Sequence, residues 1–424
     1  MAATTLLEKA FDVLTAVRDA ASLKFLAAIG DPVGLIESTA HTSDAGAVHD
    51  RIRRLGPLTR SRTGMYVASS HELCQQILRD PRVGVRHSDG RESLPDESRY
   101  DADNLLLDSF LSLDDPDHAR LRRLAAPGFR PAVIRTYAAR IEAVANRLLD
   151  RVEDAGHFDL IGDFAGPLPI EVISDLFGIP DVNRTRFAEI GNVVAQSLDG
   201  VTSYRQAREL AEAHRELIGL FDVLSAERRV RPGDDVISML VGATDAGDMT
   251  ADDLHATCAL LLIAGFETTV NLIGNAVSAM LAAREPWEQL VADSALADNA
   301  VEESLRLEPP VQLTSRVTHE PITLCGSLIP TDSTIVVDLA AANRDPAVFD
   351  DPSAFRVSRA NAADHLAFSS GVHYCLGAGL ARLEGSIALR TLSQRLPRLR
   401  TVDGGRRRHG VTLRGFASLP VSSS

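Results

Sequence analysis

The chain has 424 residues, is 45% hydrophobic, and sets 44 basic against 58 acidic side chains for a formal net charge of −14. Such a length buries a large core, and the acidic balance argues against a nucleic-acid partner, whose phosphates call for a local excess of Lys and Arg. Cys74, Cys258, Cys325 and Cys375 lie too far apart for a disulfide scaffold or a zinc knuckle, so a reducing, cytoplasmic setting fits.

At the N-terminus, Leu7, Phe11 and Leu14 fall at helical spacing, but Glu8, Lys9, Asp12, Arg18 and Asp19 interrupt them. Residues 1–30 therefore read as an amphipathic helical extension, and not as a signal segment or a spanning helix. Lys9 and Lys24 are the lysines; every other strong base is arginine, a bias that hints at a bacterial source. Ser69 with Glu72 reads as a capping box for a helix running toward Leu78, stopped by Asp80-Pro81. A further helix starts near Asp114-Asp115-Pro116, with Pro116 suited to its first turn and His118 and Arg122 sharing a face at i,i+4.

From Thr250 to about Ala283 runs the longest helical pattern, capped by Thr250, complemented by Asp252 and Asp253, and ended by Glu285-Pro286. At 1.5 Å per residue it would be roughly 50 Å long and could cross the whole molecule. Its one charge between Ala256 and Ala283 is Glu267. Glu267, Asn271 and Asn275 would be costly in lipid, which favours a buried central helix over a membrane span. Within it, Gly265 costs about 1 kcal/mol relative to alanine. Beside Ala264 it leaves a dent for a ligand, and Ala264 and Thr268 share a face. On the residues alone, Thr268 reads as a helical threonine bonding back to a carbonyl.

Downstream, Glu303 and Arg306 stand at i,i+3 on a helix that Glu308-Pro309-Pro310 ends. Strand-like stretches are short, such as Gly64 to Ala68 and Thr334 to Leu339, so the fold reads as mainly α with a small β region. Arg231-Pro232-Gly233 and Asp245-Ala246-Gly247 are too short to be linkers, and no repeat divides the chain; residues 1–424 read as one domain.

The most specific segment is Phe368-Ser369-Ser370-Gly371-Val372-His373-Tyr374-Cys375-Leu376-Gly377-Ala378-Gly379-Leu380-Ala381-Arg382. Gly371 and Gly377 would permit positive φ and close approach of a flat group, and a helix start after Cys375 would draw its thiol toward thiolate. This segment resembles the haem-binding signature of the cytochrome P450 superfamily, and the chain resembles the soluble bacterial, ferredoxin-dependent members.

That resemblance implies a P450 fold with haem b between the central helix and the cysteine-loop helix, its iron held by the Cys375 thiolate. It implies a cofactor cradle of Phe368, His373, Gly377, Ala264 and Gly265, with His118, Arg122, Arg316 and His373 on the propionates. In the resemblance Thr268 orients dioxygen and water, Glu267 relays protons, and Glu303 and Arg306 form a buried support with Arg359. Ser369 stands where glycine is common in the family, and Arg356 where an acid is common. The activity implied is a monooxygenase that inserts one atom of O2 into a lipophilic substrate, with electrons from NAD(P)H through ferredoxin reductase and ferredoxin. A peroxide-using peroxygenase and a non-catalytic haem sensor or carrier remain open. Leu260, Ile263, Ala264, Val311 and Leu313 are candidate substrate contacts, with the loop from Val83 to Phe110 and helices between Arg184 and Val223. Arg120, Arg123 and Arg382 are candidates for an electron-donor docking patch.

Overall fold

The computed structural model describes residues 21–91, 93, 105–180, 186, 187, 189–191, 193, 194, 201 and 203–423. The extension's Leu7, Phe11 and Leu14 lie outside them, as do parts of the Val83–Phe110 loop and of the segment after Arg184.

Ala251–Ala283 is the organising element, 33 residues capped by Thr250, whose side chain accepts from Asp253 N while the Asp253 carboxylate accepts from Thr250 N. This helix is long and apolar enough to cross a membrane, yet 83% of its most apolar window is buried inside the protein. Lying in the core explains its hydropathy without a bilayer. Around it pack Pro167–Phe177, Ala297–Leu307 and Ala378–Arg395, the last also resting on Ala138–Asp150. Their apolar faces merge into one cluster reaching from Leu106 to Val421, with Trp287, Phe164, Phe266 and Phe416 among its buried aromatics.

Strands are few and short. The main sheet has the order Leu58–Arg60, Tyr66–Ala68, Thr334–Asp338, Leu313–Thr318, Val83–Gly84. Its register is antiparallel except where Tyr66 pairs Ile335 and Ala68 pairs Val337 in parallel. Toward the C-terminus Arg406–Arg407 pairs with Phe416–Ser418, and the register shifts between the two arginines.

Two helix starts differ from the sequence expectation. The helix His71–Arg79 begins one residue late, behind Ser70, with no side-chain cap from its own segment. Ser69 Oγ donates instead to Gly56 O at 3.0 Å, and the free His71 N–H is capped by the Asp345 carboxylate at 2.9 Å. A remote acid has taken the role that Ser69 and Glu72 were expected to share. Pro116 precedes the helix Asp117–Ala125 and occupies its cap position, not its first turn.

Candidate functional site

Cys375 lies in the loop between a short turn at Gly371–His373 and the helix Ala378–Arg395. Its N–H donates to Phe368 O at 2.9 Å, closing the loop on itself. Burial pushes the Cys375 thiol up, while the N–H groups of Gly377 and Ala378 and the charges of Arg122 and Arg382 pull it down. Desolvation wins, so the expectation that the helix start alone would lower it is corrected; a bound cation would be needed to reverse the balance.

Loop geometry corrects a second expectation. Gly371 is left-handed at φ 71, and a Cβ there would meet Leu78 O at 2.2 Å, so the helix His71–Arg79 packs on bare backbone. Gly377 has φ −83, ordinary for any residue. The second left-handed position is Ser369 at φ 62, which accounts for glycine being the usual residue there.

On the other side, Ala264 is exposed and Thr268 half-exposed, although the residues on either side of them are mostly buried. The helix therefore opens on a single face there, along the i,i+4 line. Leu260 and Ile263 border the opening in the main core cluster. Thr268 Oγ1 donates to Ala264 O at 2.8 Å, and Thr269 Oγ1 to Gly265 O at 3.1 Å. Gly265 itself is not part of the dent: a Cβ on it would meet Ile173 Cδ1 at 2.9 Å, so it serves the close approach of the helix Pro167–Phe177. Of the remaining candidate substrate contacts, Val311 bridges Leu413, and Leu313 packs with Val33, Val67 and Val336 in a separate sheet core.

Beside the loop gathers a cluster of donors. The His118 and His373 rings lie 4.2 Å apart, and His118 Nδ1 is 3.3 Å from the Asp115 carboxylate. His118 Nε2 is buried and without a partner. Arg316 is 3% exposed, and its hydrogen bonds go to neutral groups, Ser315 O at 2.7 Å and Thr314 Oγ1 at 3.2 Å. Burial pushes its guanidinium down to about 10 against the opposing pull of Asp114. Desolvation, aided by Arg316, His118 and Arg122, lowers His373 to about 3. Arg122 donates to Tyr374 O, the residue before the cysteine. Together these groups form a buried, cation-rich donor set that calls for an anion.

Behind the loop, Glu303, Arg306 and Arg359 form a closed node. Arg306 grips both Glu303 oxygens at 2.7 and 2.8 Å, and Arg359 Nε lies 3.0 Å from each. The leftover guanidinium donors reach Asn343 O, Pro352 O, Asp350 O and Ala354 O. Arg356 adds its backbone N–H to Glu303 at 2.9 Å and turns its side chain out to Asp351, so an acid at 356 is not needed for this contact.

Sequence reasoning overlooked three residues. Glu302 binds Arg382 Nε at 2.6 Å and His365 Nε2 at 3.1 Å; burial raises its carboxyl, but these partners bring it down to about 2. Tyr374 Oη accepts from Arg382. Arg408 pairs with Glu267 at 2.6 Å, and the run Arg406-Arg407-Arg408 in an acidic chain was the available signal.

The donor set fits haem, a flat dianion: an orphaned imidazole N–H or lone pair at His118 and the buried Arg316 suit propionates, and the bare face at Ala264 suits a macrocycle. Fold and site thus define a haem-thiolate protein. The cytochrome P450 family model matches residues 61–398. Cytochrome P450 107B1 of Saccharopolyspora erythraea is 38% identical, covering 88% of this chain and 94% of that protein. Among solved structures, ligand-free CYP164A2 of Mycobacterium smegmatis superposes with a TM-score of 0.82 at 38% identity, over 91% of this chain and 98% of that one. P450BioI bound to an acyl carrier protein carrying hexadec-9Z-enoic acid gives a TM-score of 0.82 at 36% identity, over 89% and 97%. The chain belongs to the cytochrome P450 family, and its activity is that of a haem monooxygenase.

Proposed function

We propose that this protein is a cytoplasmic, single-unit monooxygenase that hydroxylates a lipophilic small molecule with electrons delivered by a ferredoxin. The observation that carries the reading is a sulfur held by the amides of Gly377 and Ala378 beside a buried donor cluster that lacks its anion. Haem, when bound, supplies the reductive activation of dioxygen and the power to oxidise a C–H bond, and thiolate donation favours O–O cleavage.

The remaining work falls to side chains. Cys375 would hold the iron, His118, Arg122, Arg316 and His373 would hold the propionates, and Phe368 and Gly377 flank the loop. Phe368 is itself fixed by the Arg382 guanidinium 4.5 Å above its ring. Ala264 would leave room for the macrocycle, and Thr268, released from Ala264 O, would hold and orient a water at its hydroxyl. Glu267, held by Arg408, is the acid that relays protons behind it. Leu260, Ile263 and Val311 give the substrate an apolar wall, in keeping with the fatty acyl chain carried by the P450BioI complex.

On the docking face, Arg120 is tied to Asp117 and Asp253, and Arg382 to Glu302. Arg123 stays exposed, near the exposed Val372 and Tyr374 of the cysteine loop in this reading, and is the charge best placed to meet an acidic ferredoxin. The test is to load the protein with haem, reduce it and add carbon monoxide. A thiolate-type Soret band lost in Cys375→His, together with label from ¹⁸O2 appearing in a lipophilic product only when ferredoxin and reductase are present, is the expected result. A histidine-type band in the unaltered protein sinks the reading.

A further inference from the structure

Glu267 does not face the opening at Thr268. Its carboxylate is 1% exposed and turned toward the C-terminal hairpin, where Arg408 Nη1 meets it at 2.6 Å. One turn on along the same stripe, Asn271 is fully buried, with neither its Nδ2 nor its Oδ1 partnered. A further turn on, Asn275 donates to Glu308 O at 3.2 Å and Arg414 O at 3.1 Å and accepts from Arg407 Nη1 at 3.2 Å. Arg407 continues to the Glu308 carboxylate at 2.7 Å, and Glu308, Arg407 and Arg414 line a cavity of about 260 Å³ that opens to solvent. The register shift between Arg406 and Arg407 helps the adjacent residues 407 and 408 reach positions two turns apart on the central helix. Gly415 brings hairpin backbone onto Asn271: a Cβ there would lie 1.8 Å from its Oδ1.

A fully buried amide without partners costs about 1–3 kcal/mol per group, and native proteins satisfy such groups with ordered water. Asn271 sits midway along a polar stripe of roughly 12 Å, two helical turns, whose other members are satisfied. It is the unpartnered member of a line that runs from the solvent cavity to the carboxylate behind Thr268.

We propose that Glu308, Arg407, Asn275 and Asn271, with water at Asn271, line the entry path by which solvent protons reach Glu267, where Arg408 holds the carboxylate, so that protons enter through the C-terminal hairpin. This rests on the monooxygenase reading above. Each turnover consumes O2, two electrons and two protons to give hydroxylated product and water; the electrons come from the ferredoxin and the protons from bulk water. At the line's end a proton adds to the Glu267 carboxylate, Arg408 releases it, and the carboxyl turns to pass that proton to the water held by Thr268. Having given up the proton, the carboxylate swings back to Arg408 and the ion pair re-forms, ready for the next proton from the line. Arg408 is a positioning residue: it neither donates nor accepts, and it holds Glu267 at the line until protonation.

The experiment uses the haem-loaded protein and two variants, Asn271→Val, which replaces the amide with an apolar group, and Arg408→Ala, with Arg408→Lys as the conservative control. The first readout is the rate at which the Glu267 carboxylate takes up a proton after a downward pH jump, followed by infrared difference spectroscopy as the carboxylate band gives way to a carboxyl band and assigned with Glu267→Gln. Uptake slowed at least about tenfold in Asn271→Val is expected, and uptake at the unaltered rate overturns the line. The second is the solvent isotope effect on ferredoxin-driven turnover, expected to rise in Asn271→Val and Arg408→Ala and to return in Arg408→Lys. Hydrogen peroxide carries its own protons, so peroxide-driven turnover should change less than about twofold in the same variants. An isotope effect that does not move, or peroxide-driven turnover that falls in step with ferredoxin-driven turnover, assigns these residues a structural role and overturns the proposal. The proton-uptake measurement reads the line whether or not a product forms, whereas the carbonyl spectrum tests the oxygenase reading, so the two fail separately.

Discussion

Two buried clusters of charge flank the cysteine loop, and they are built on opposite principles. At Glu303, Arg306 and Arg359 every charge meets its opposite inside the chain, and the spare donors end on carbonyls. At His118, Arg316 and His373 the buried guanidinium bonds only neutral groups, and one imidazole nitrogen has no partner. The first arrangement is scaffold, complete before any ligand arrives. The second is a binding site, because its electrostatics close only when something anionic enters.

Breaking the closed node should cost most. Glu303→Ala leaves two arginines buried without their carboxylate, a loss of about 3–5 kcal/mol, enough to unfold much of the population. Chemical denaturation of protein stripped of haem checks this, and the cost should be nearly the same with haem bound. A loss that vanishes on haem binding would make this node part of the site and erase the contrast.

Arg316→Met probes the open cluster and should act in the opposite direction on the unloaded protein. Removing a 3% exposed cation whose hydrogen bonds are to neutral groups should stabilise the stripped form by about 1–3 kcal/mol. Haem retention, measured by transfer to a competing apoprotein, should fall by about tenfold for the loss of one charge-assisted bond. Stability that drops in both forms would show that Arg316 is scaffold after all.

Both clusters were partly legible in the sequence, for different reasons. Glu303 and Arg306 lie one helical turn apart, and Cys375 stands in a run whose glycines and helix start are contiguous, so local spacing carries the information. What closes each cluster is remote. Asp345 caps a helix whose first residue is His71, and Arg408 meets Glu267 from the far end of the chain; no pattern along the sequence records those distances. The reason for Gly265 was misread on the same account, since Ile173, which fills the space beside it, belongs to another helix. Glu302 was hidden by its neighbour: adjacent acids look alike until burial assigns one to Arg306 and the other to Arg382 and His365.

In the cysteine loop itself stands Ser369, a left-handed serine with a buried Oγ that has no partner. Neither a closed node nor a site needs it, since a left-handed L-residue costs about 1–2 kcal/mol and an unpaired hydroxyl adds to that. Ser369→Gly removes both terms and gives back some unfolded-state entropy, for a net gain of about 1 kcal/mol. The melting temperature should rise by a few degrees with the carbonyl Soret position unmoved. If Ser369→Gly instead shifts that band or loosens haem, the hydroxyl acts on Cys375, and the strained position belongs with the open cluster, where an unsatisfied group waits on the ligand.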